Sequence, residues 1–380
     1  MMSDASGRYV PGADPYRIFM LCEESLSLFE DAGRESRFGG AGLQMWLLGR
    51  ELAKHPDFEV SFIFDRGIGA ARAEGVRLIE RRGPVRRGLP LASRYLNLHR
   101  RREPYRGPGR KVIISTQAIR AAALMDEARL AGAKSVYRVA SETDVSQPRG
   151  VSPAHAEELL SAICAADRVV TQTEHQRETL LNTRGKDSVV IRKGLPVPKV
   201  QPGFENKSGV LWVGSAQVLK QPWYFLDLAR DFPNEAFTMI APTEVPQVHE
   251  YIRRQAAEIP NLKLIDHQVP YLVAQQHFDA SSLYVHTTEF SSHPENTVLQ
   301  ACAGACAILS LRLDPDEMAN QGVLLSAEGD YLRLRQLLRG LLDNPSECAD
   351  LGSRAFTYMR EKYNIDRMTN EYAHLIRSMF

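Results

Sequence analysis

Three short segments carry residues whose types and spacing suit the binding of an anion without a metal. In VGSAQVLK, Lys220 follows Gly214 by six residues and stands where a strand and loop give way to a helix. In PENTVLQAC, Asn296 has the chemistry of a helix N-cap, and the amides of Thr297 and Val298 would then point out of the helix start. In GGAG, Gly39 and Gly40 have no side chains, so a phosphate can come close to their backbone amides. A helix N-terminus and a fixed cation together neutralise a phosphate dianion. Taken singly, each motif also fits a plainer role: a solvated lysine, a capped core helix, a tight turn.

Other chemistries find less support. Ser141-Glu142-Thr143-Asp144 follows an apolar strand, and Glu142 or Asp144 is placed to orient or deprotonate a hydroxyl. No GxSxG elbow is present. His267, His286 and His293 lack metal-ligand spacing with the nearby cysteines, so no metal site is expected. The five cysteines form no CxxC pair and read as reduced, mostly buried thiols. A dinucleotide-binding GxGxxG follows its strand immediately, whereas Gly39-Gly40 come well after RIFMLC, which argues against a nicotinamide enzyme.

These residues need a scaffold, and the hydrophobic pattern supplies one. Apolar runs at 17–22, 58–65, 112–115, 135–140, 168–173 and 188–192 read as strands with helices between them. A proline-rich, charged segment, Leu195–Lys207, reads as a linker. Strands then resume at 209–213, 237–241, 262–265, 283–286 and 306–310, with helices at 222–231, 245–258, 269–281 and 296–303. Alternating strands and helices imply α/β lobes with parallel sheets. The expected division is a disordered arm at 1–16, a first lobe at 17–200, a second at 207–355, and closing helices at 356–380.

In this order, several segments resemble family 4 glycosyltransferases: GGAGLQMWLLGREL, VVTQTEHQRETLL, VVIRKGLPVP, VLWVGSAQVLKQPWYFLDLAR and PENTVLQACAGACAILSL. The resemblance implies a GT-B fold, two Rossmann-like lobes facing a central cleft, with the closing helices crossing back to the first lobe. It implies a hexosyltransferase-like enzyme that moves a sugar from a nucleotide-diphosphate sugar to an acceptor. Such transfer usually retains configuration and needs no metal and no further cofactor. Lys220 takes the position of a family lysine that clasps the diphosphate. The family arginine after the glycine is replaced by Ser215, beside Gly214. Of two family glutamates, the ribose-binding one is replaced by Gln300. The sugar-binding one corresponds to Ser292 in a gapless alignment, or to Glu289 if three residues are inserted. Glu142 or Asp144 would face the acceptor.

Composition sets the outer limits. The chain has 380 residues, 44% hydrophobic and 24% charged, with a formal net charge of +1. That suits a two-domain globular protein and gives no sign of a nucleic-acid partner. No apolar run suits a membrane span, and the opening residues lack a signal-peptide core, so a cytoplasmic location is expected. The arginine-rich stretch Arg77–Lys111 suits peripheral contact with an anionic membrane and a lipid-linked acceptor, or a phosphorylated or acidic acceptor. A glycan or small-molecule acceptor is equally compatible. Two other functions remain open: a GT-B scaffold that binds nucleotide or glycan without catalysis, and a nucleotide-sugar epimerase.

Overall fold

A computed structural model describes residues 14–29, 39–64, 72–80, 105–116, 121–145, 153–289, 291 and 293–380. The chain divides into two compact units. One contains the described residues up to Lys193 together with Ile365–Phe380, and the other contains Gly194–Asn364.

The first unit is built on an eight-stranded sheet in the order β3-β4-β2-β1-β5-β6-β7-β8. Its strands are β1 (Tyr16–Leu21), β2 (Phe58–Phe64), β3 (Arg72–Ala73), β4 (Val76–Glu80), β5 (Arg110–Ser115), β6 (Lys134–Arg138), β7 (Arg168–Thr171) and β8 (Val189–Val190). All pair in parallel except β3 with β4. Ile18 lies between Val60 and Val112, and all three are buried, as expected for a sheet covered on both faces. Phe19, Ile113, Tyr137, Ile163, Val169 and Leu180 share one core. The closing helix, Ile365–Ser378, packs on the helix Gly40–Leu52. Arg377 pairs with Asp57 at 2.9 Å, and Arg367 Nη2 donates to the Arg192 carbonyl at 3.0 Å.

The second unit is a six-stranded, all-parallel sheet in the order β11-β10-β9-β12-β13-β14. Its strands are β9 (Val210–Val213), β10 (Phe237–Ile240), β11 (Leu262–Ile265), β12 (Leu283–His286), β13 (Ala307–Ser310) and β14 (Leu325–Ser326). From β9 the chain winds outward through β10 to β11, then returns to β9's other side with β12. The carboxyl ends of β9 and β12 therefore form the switch point where open α/β sheets bind ligands. Trp212, Phe225, Phe237, Val285, Leu309 and Leu338 anchor the core.

Lys207 closes this unit from below. Its buried ammonium donates to the carbonyls of Phe278 (3.1 Å), Asp279 (2.9 Å) and Ser281 (3.0 Å) at the end of the helix Tyr271–Ala280. The Cys306 thiol donates to two of the same carbonyls, and burial pushes it up to about 12. Four of the five cysteines are buried, Cys164 is exposed, and all are free thiols.

Three points go beyond expectation. Leu195–Lys207 begins just past the boundary between the units and is held at both ends: Leu195 is buried and its amide donates to the Tyr363 carbonyl at 2.9 Å, while Lys207 is fixed at the other end. Arg77–Lys111 does not wholly interrupt the α/β order. Its ends lie in β4 and β5, and Tyr105 packs edge-on against Phe19 with centroids 5.0 Å apart. Residues 81–104, which hold most of its arginines, lie outside the described residues. The β3–β4 hairpin was not expected. It turns on Glu74 and Gly75, both with positive φ, in a dipeptide with little turn signal besides its glycine. Among the described residues, no helix is long and apolar enough to cross a membrane.

Candidate functional site

The candidate site is assembled at the β9/β12 switch point. β9 ends at Val213 and passes through Gly214 and Ser215 into the 3-10 turn Val218–Lys220. A Cβ on Gly214 would meet the Trp212 ring at 2.9 Å, so this turn needs glycine. Trp212 Nε1 donates to Thr287 Oγ1 at 2.8 Å, and Thr287 Oγ1 donates to the Lys220 carbonyl at 2.6 Å. The Glu289 amide donates to the Leu219 carbonyl at 2.9 Å. Two bonds from the β12 side thus fix the backbone that carries Lys220, and Trp212 from β9 braces one of them.

Lys220 has a partner that sequence reasoning missed. Its Nζ lies 2.7 Å and 2.6 Å from the two carboxylate oxygens of Glu295, and 3.5 Å from Thr288 Oγ1. The two side chains are 17% and 19% exposed, so the pair is largely screened from water. His286 is 3% exposed, with Nε2 3.5 Å from Glu295 Oε2 and no hydrogen-bond partner for Nδ1 among the described residues. Burial alone would push the Glu295 carboxyl up, but the Lys220 charge and the His286 ring hold it well below the usual carboxylate range.

Glu295, not Asn296, is the N-cap of the helix Asn296–Ala303, which corrects the cap assignment by one residue. Its side chain makes no capping bond because Lys220 holds it. The Thr297 and Val298 amides consequently carry no hydrogen bond among the described residues. One turn further, Gln300 is 5% exposed and its Nε2 has no partner among the described residues. A buried polar group left unpaired carries a desolvation penalty that a ligand atom can relieve. The second unit thus brings together a cation, an open helix start and an unpaired amide donor.

The remaining candidates are placed as follows. Ser215 Oγ accepts from Gln217 Nε2 at 2.8 Å, a bond within its own loop. Glu289 is exposed, and Ser292 lies outside the described residues. In the first unit, Gly39 is the N-cap of the helix Gly40–Leu52, with Gly40 its first residue. A Cβ on Gly39 would meet the Glu24 carboxylate at 2.6 Å, and one on Gly42 would meet Glu24 Cβ at 2.8 Å. Ser25 Oγ donates to the Gly42 carbonyl at 2.9 Å. These glycines therefore admit the turn Glu23–Ser25, and the anion next to Gly39 is the chain's own Glu24.

Asp144 is buried and faces inward. It accepts from the Ala140 amide at 2.9 Å, Ser141 Oγ at 3.1 Å and Tyr137 OH at 3.3 Å. Burial nonetheless raises its pKa. These bonds make Asp144 a brace of its own loop rather than an exposed base. Glu142 opens the helical turn Glu142–Val145, and its side chain lies outside the described residues.

No protein-family model matches the sequence, and no curated protein matches it. Solved structures do. A glycosyltransferase from Rickettsia africae superposes with a TM-score of 0.70 at 12% identity, covering 96% of this chain and 99% of that one. Anabaena Alr3699/HepE in complex with UDP and glucose gives 0.69 at 15% identity, over 95% and 99%. The α,α-trehalose 6-phosphate synthase of Burkholderia multivorans gives 0.65 at 12% identity, over 96% and 97%. The fold is GT-B, with two parallel-sheet α/β units.

Proposed function

We propose that this protein is a glycosyltransferase that uses a nucleotide-diphosphate sugar. One observation carries the reading: at the β9/β12 switch point a largely buried lysine, two open helix amides and the unpartnered Nε2 of Gln300 lie on connected elements. A cation with a helix start suits a diphosphate, and a buried amide suits a ribose hydroxyl. The GT-B fold of structures solved with UDP and with UDP-glucose supports the same ligand class.

In this reading Lys220 and the amides of Thr297 and Val298 stabilise the charge that develops as the bond from sugar carbon to phosphate oxygen breaks. The acceptor hydroxyl attacks that carbon from the face the phosphate leaves, and its proton passes to the departing phosphate oxygen. Configuration is retained, and the charge is met without a metal. Gln300 holds the ribose, and Glu289 or Ser292 the sugar. The acceptor is a glycan, a lipid-linked saccharide or a small molecule, bound by the first unit, with peripheral membrane contact through Arg77–Lys111 if it is lipid-linked. No nucleic acid takes part.

A thermal-shift panel of nucleoside diphosphates and their sugars tests this reading, because a ligand of the folded state raises stability by mass action. A shift of several degrees with one base, followed by sugar transfer from that donor, is expected. No shift with any member of the panel refutes it. A second reading, binding without turnover, draws on Glu295 occupying the cation and on Ser215 and Gln300 replacing charged residues. Donor binding with neither transfer nor hydrolysis would select it.

A further inference from the structure

We propose that Glu295 is a built-in counter-anion which a two-phosphate ligand displaces from Lys220, so that the site selects diphosphates over monophosphates. The inference rests on the donor-site reading above and adds a gate to it.

The geometry separates two anion-binding elements that usually act together. The Thr297 and Val298 amides are open among the described residues, because Glu295 occupies the N-cap position without bonding them. Lys220 is closed, because both oxygens of that same carboxylate lie within 2.7 Å of its Nζ. One phosphate can be met by the Thr297 and Val298 amides while the ion pair stays intact. A second phosphate reaches the cation only by parting the pair. A monophosphate therefore gains nothing from Lys220, whereas a diphosphate gains both elements at the cost of one internal contact.

Parting the pair leaves the carboxylate enclosed. Among the described residues, the charged and titratable groups that face it are Lys220 from the 3-10 turn and His286 and Tyr284 from β12. With Lys220 turned to the phosphate, a screened carboxylate beside a phosphate anion is unfavourable. The balanced step is proton uptake: solvent gives one proton to the Glu295 carboxylate as the diphosphate takes over the ammonium. Glu295 is then a neutral acid for as long as the ligand stays.

The test is calorimetry of wild-type protein and Glu295→Gln with the di- and monophosphates of uridine, guanosine, adenosine and thymidine. For the base that binds, wild type should favour the diphosphate and, near pH 6, take up close to one proton per ligand more than it does with the monophosphate, whose terminal phosphate titrates in the same range; titrations in buffers of different ionisation enthalpy read this. Glu295→Gln should bind the diphosphate about tenfold more tightly, with that extra proton uptake gone and monophosphate affinity changed by less than about threefold. Unchanged or weaker diphosphate binding by the variant overturns the proposal, as does wild-type diphosphate binding with no more proton uptake than the monophosphate shows. The uptake measurement decides alone if the variant does not fold. If neither protein binds any diphosphate, the donor-site reading itself fails. If wild type binds and the variant gains nothing, only the gate fails.

Discussion

Replacing Lys220 by methionine tests the ion pair without any ligand. The substitution keeps the length of the side chain and removes its charge, leaving the Glu295 carboxylate largely buried beside His286. Breaking a buried pair on one side costs about 3–5 kcal/mol, and the 17–19% residual exposure places this pair toward the lower end, near 3 kcal/mol. Glu295→Gln leaves Lys220 with an amide oxygen and Thr288 and should cost about 1–2 kcal/mol. The double variant, with no stranded charge, should come within about 1 kcal/mol of wild type, a coupling of roughly 3 kcal/mol.

The pH dependence supplies a sign that mere loss of packing would not. In wild type the folded carboxyl lies below its unfolded value near 4.3, so its stabilisation is present above that value and is lost only as pH falls through the folded pKa. In Lys220→Met, burial pushes the carboxyl above its unfolded value. That contribution is complete in acid and is lost as pH rises through the folded pKa. The deficit of the variant should therefore narrow between pH 7 and pH 5. Urea unfolding followed by tryptophan fluorescence reads it, since Trp212 is bonded to Thr287, whose hydroxyl in turn holds the Lys220 carbonyl. A deficit that stays constant or widens in acid, or a double variant that loses the sum of the two single losses, would refute the assignment.

Further outcomes follow from the same geometry. Lys207→Met removes three bonds from an ammonium to carbonyls and should lower stability by about 3 kcal/mol; a loss under about 1 kcal/mol in denaturant titration would mean those carbonyls are satisfied elsewhere. Gly352→Ala drives a methyl into the Ala305 carbonyl oxygen and should cost about 1–3 kcal/mol, whereas Gly340→Ala, with open space around it in the helix Tyr331–Asp343, should gain about 0.5–1 kcal/mol; equal melting temperatures for the two variants would contradict this. Asp144 has a raised folded pKa, so its contribution is complete below its unfolded value near 3.9 and is lost as pH rises through the folded one. Asp144→Asn should flatten the stability profile across that interval, and an unchanged slope would place the titrating group elsewhere.

The second unit was the more legible in sequence. The strands Leu262–Ile265 and Leu283–His286 and the helix Asn296–Ala303 lie at their expected bounds because short apolar runs between clear breakers leave little freedom. β14 spans two residues, too few to show a period. Lys220 was legible as a candidate from residue type and order, and Gln300 only through the family resemblance. Glu295 was not, because it acts through a partner distant in sequence: it meets Lys220 across 75 residues. A signal for Glu295 was nonetheless present, as an acid beside a helix start is favourable in itself and invites the question of which cation it faces. In the first unit the glycine motif opens the helix Gly40–Leu52. Its neighbour Glu24 was overlooked because nothing in a sequence marks which side chain folds onto a glycine.

The replacements at Ser215 and Gln300 look like erosion of a catalytic site when each is considered alone, but charge balance gives them another meaning. The pattern this chain resembles sets two cations, an arginine and a lysine, against two glutamates. Ser215 removes one cation and Gln300 removes one carboxylate, so the balance of that set is kept where Glu289, rather than Ser292, stands at the other glutamate position. What remains on the described residues is one lysine facing one carboxylate, Glu295, which stands at the head of the same helix that carries Gln300. Erosion without selection would strand a buried charge, which is costly, whereas here the described cation is matched. Gln300 also keeps an unpaired donor in a buried place, where an apolar residue of similar size would be the more stable choice for a helix with no ligand. On the reading proposed above, a paired buried cation beside an unsatisfied donor fits retained ligand binding rather than decay. It also locates the functional question at the gate on Lys220, since the cation that would stabilise the leaving phosphate serves the reaction only when Glu295 lets go.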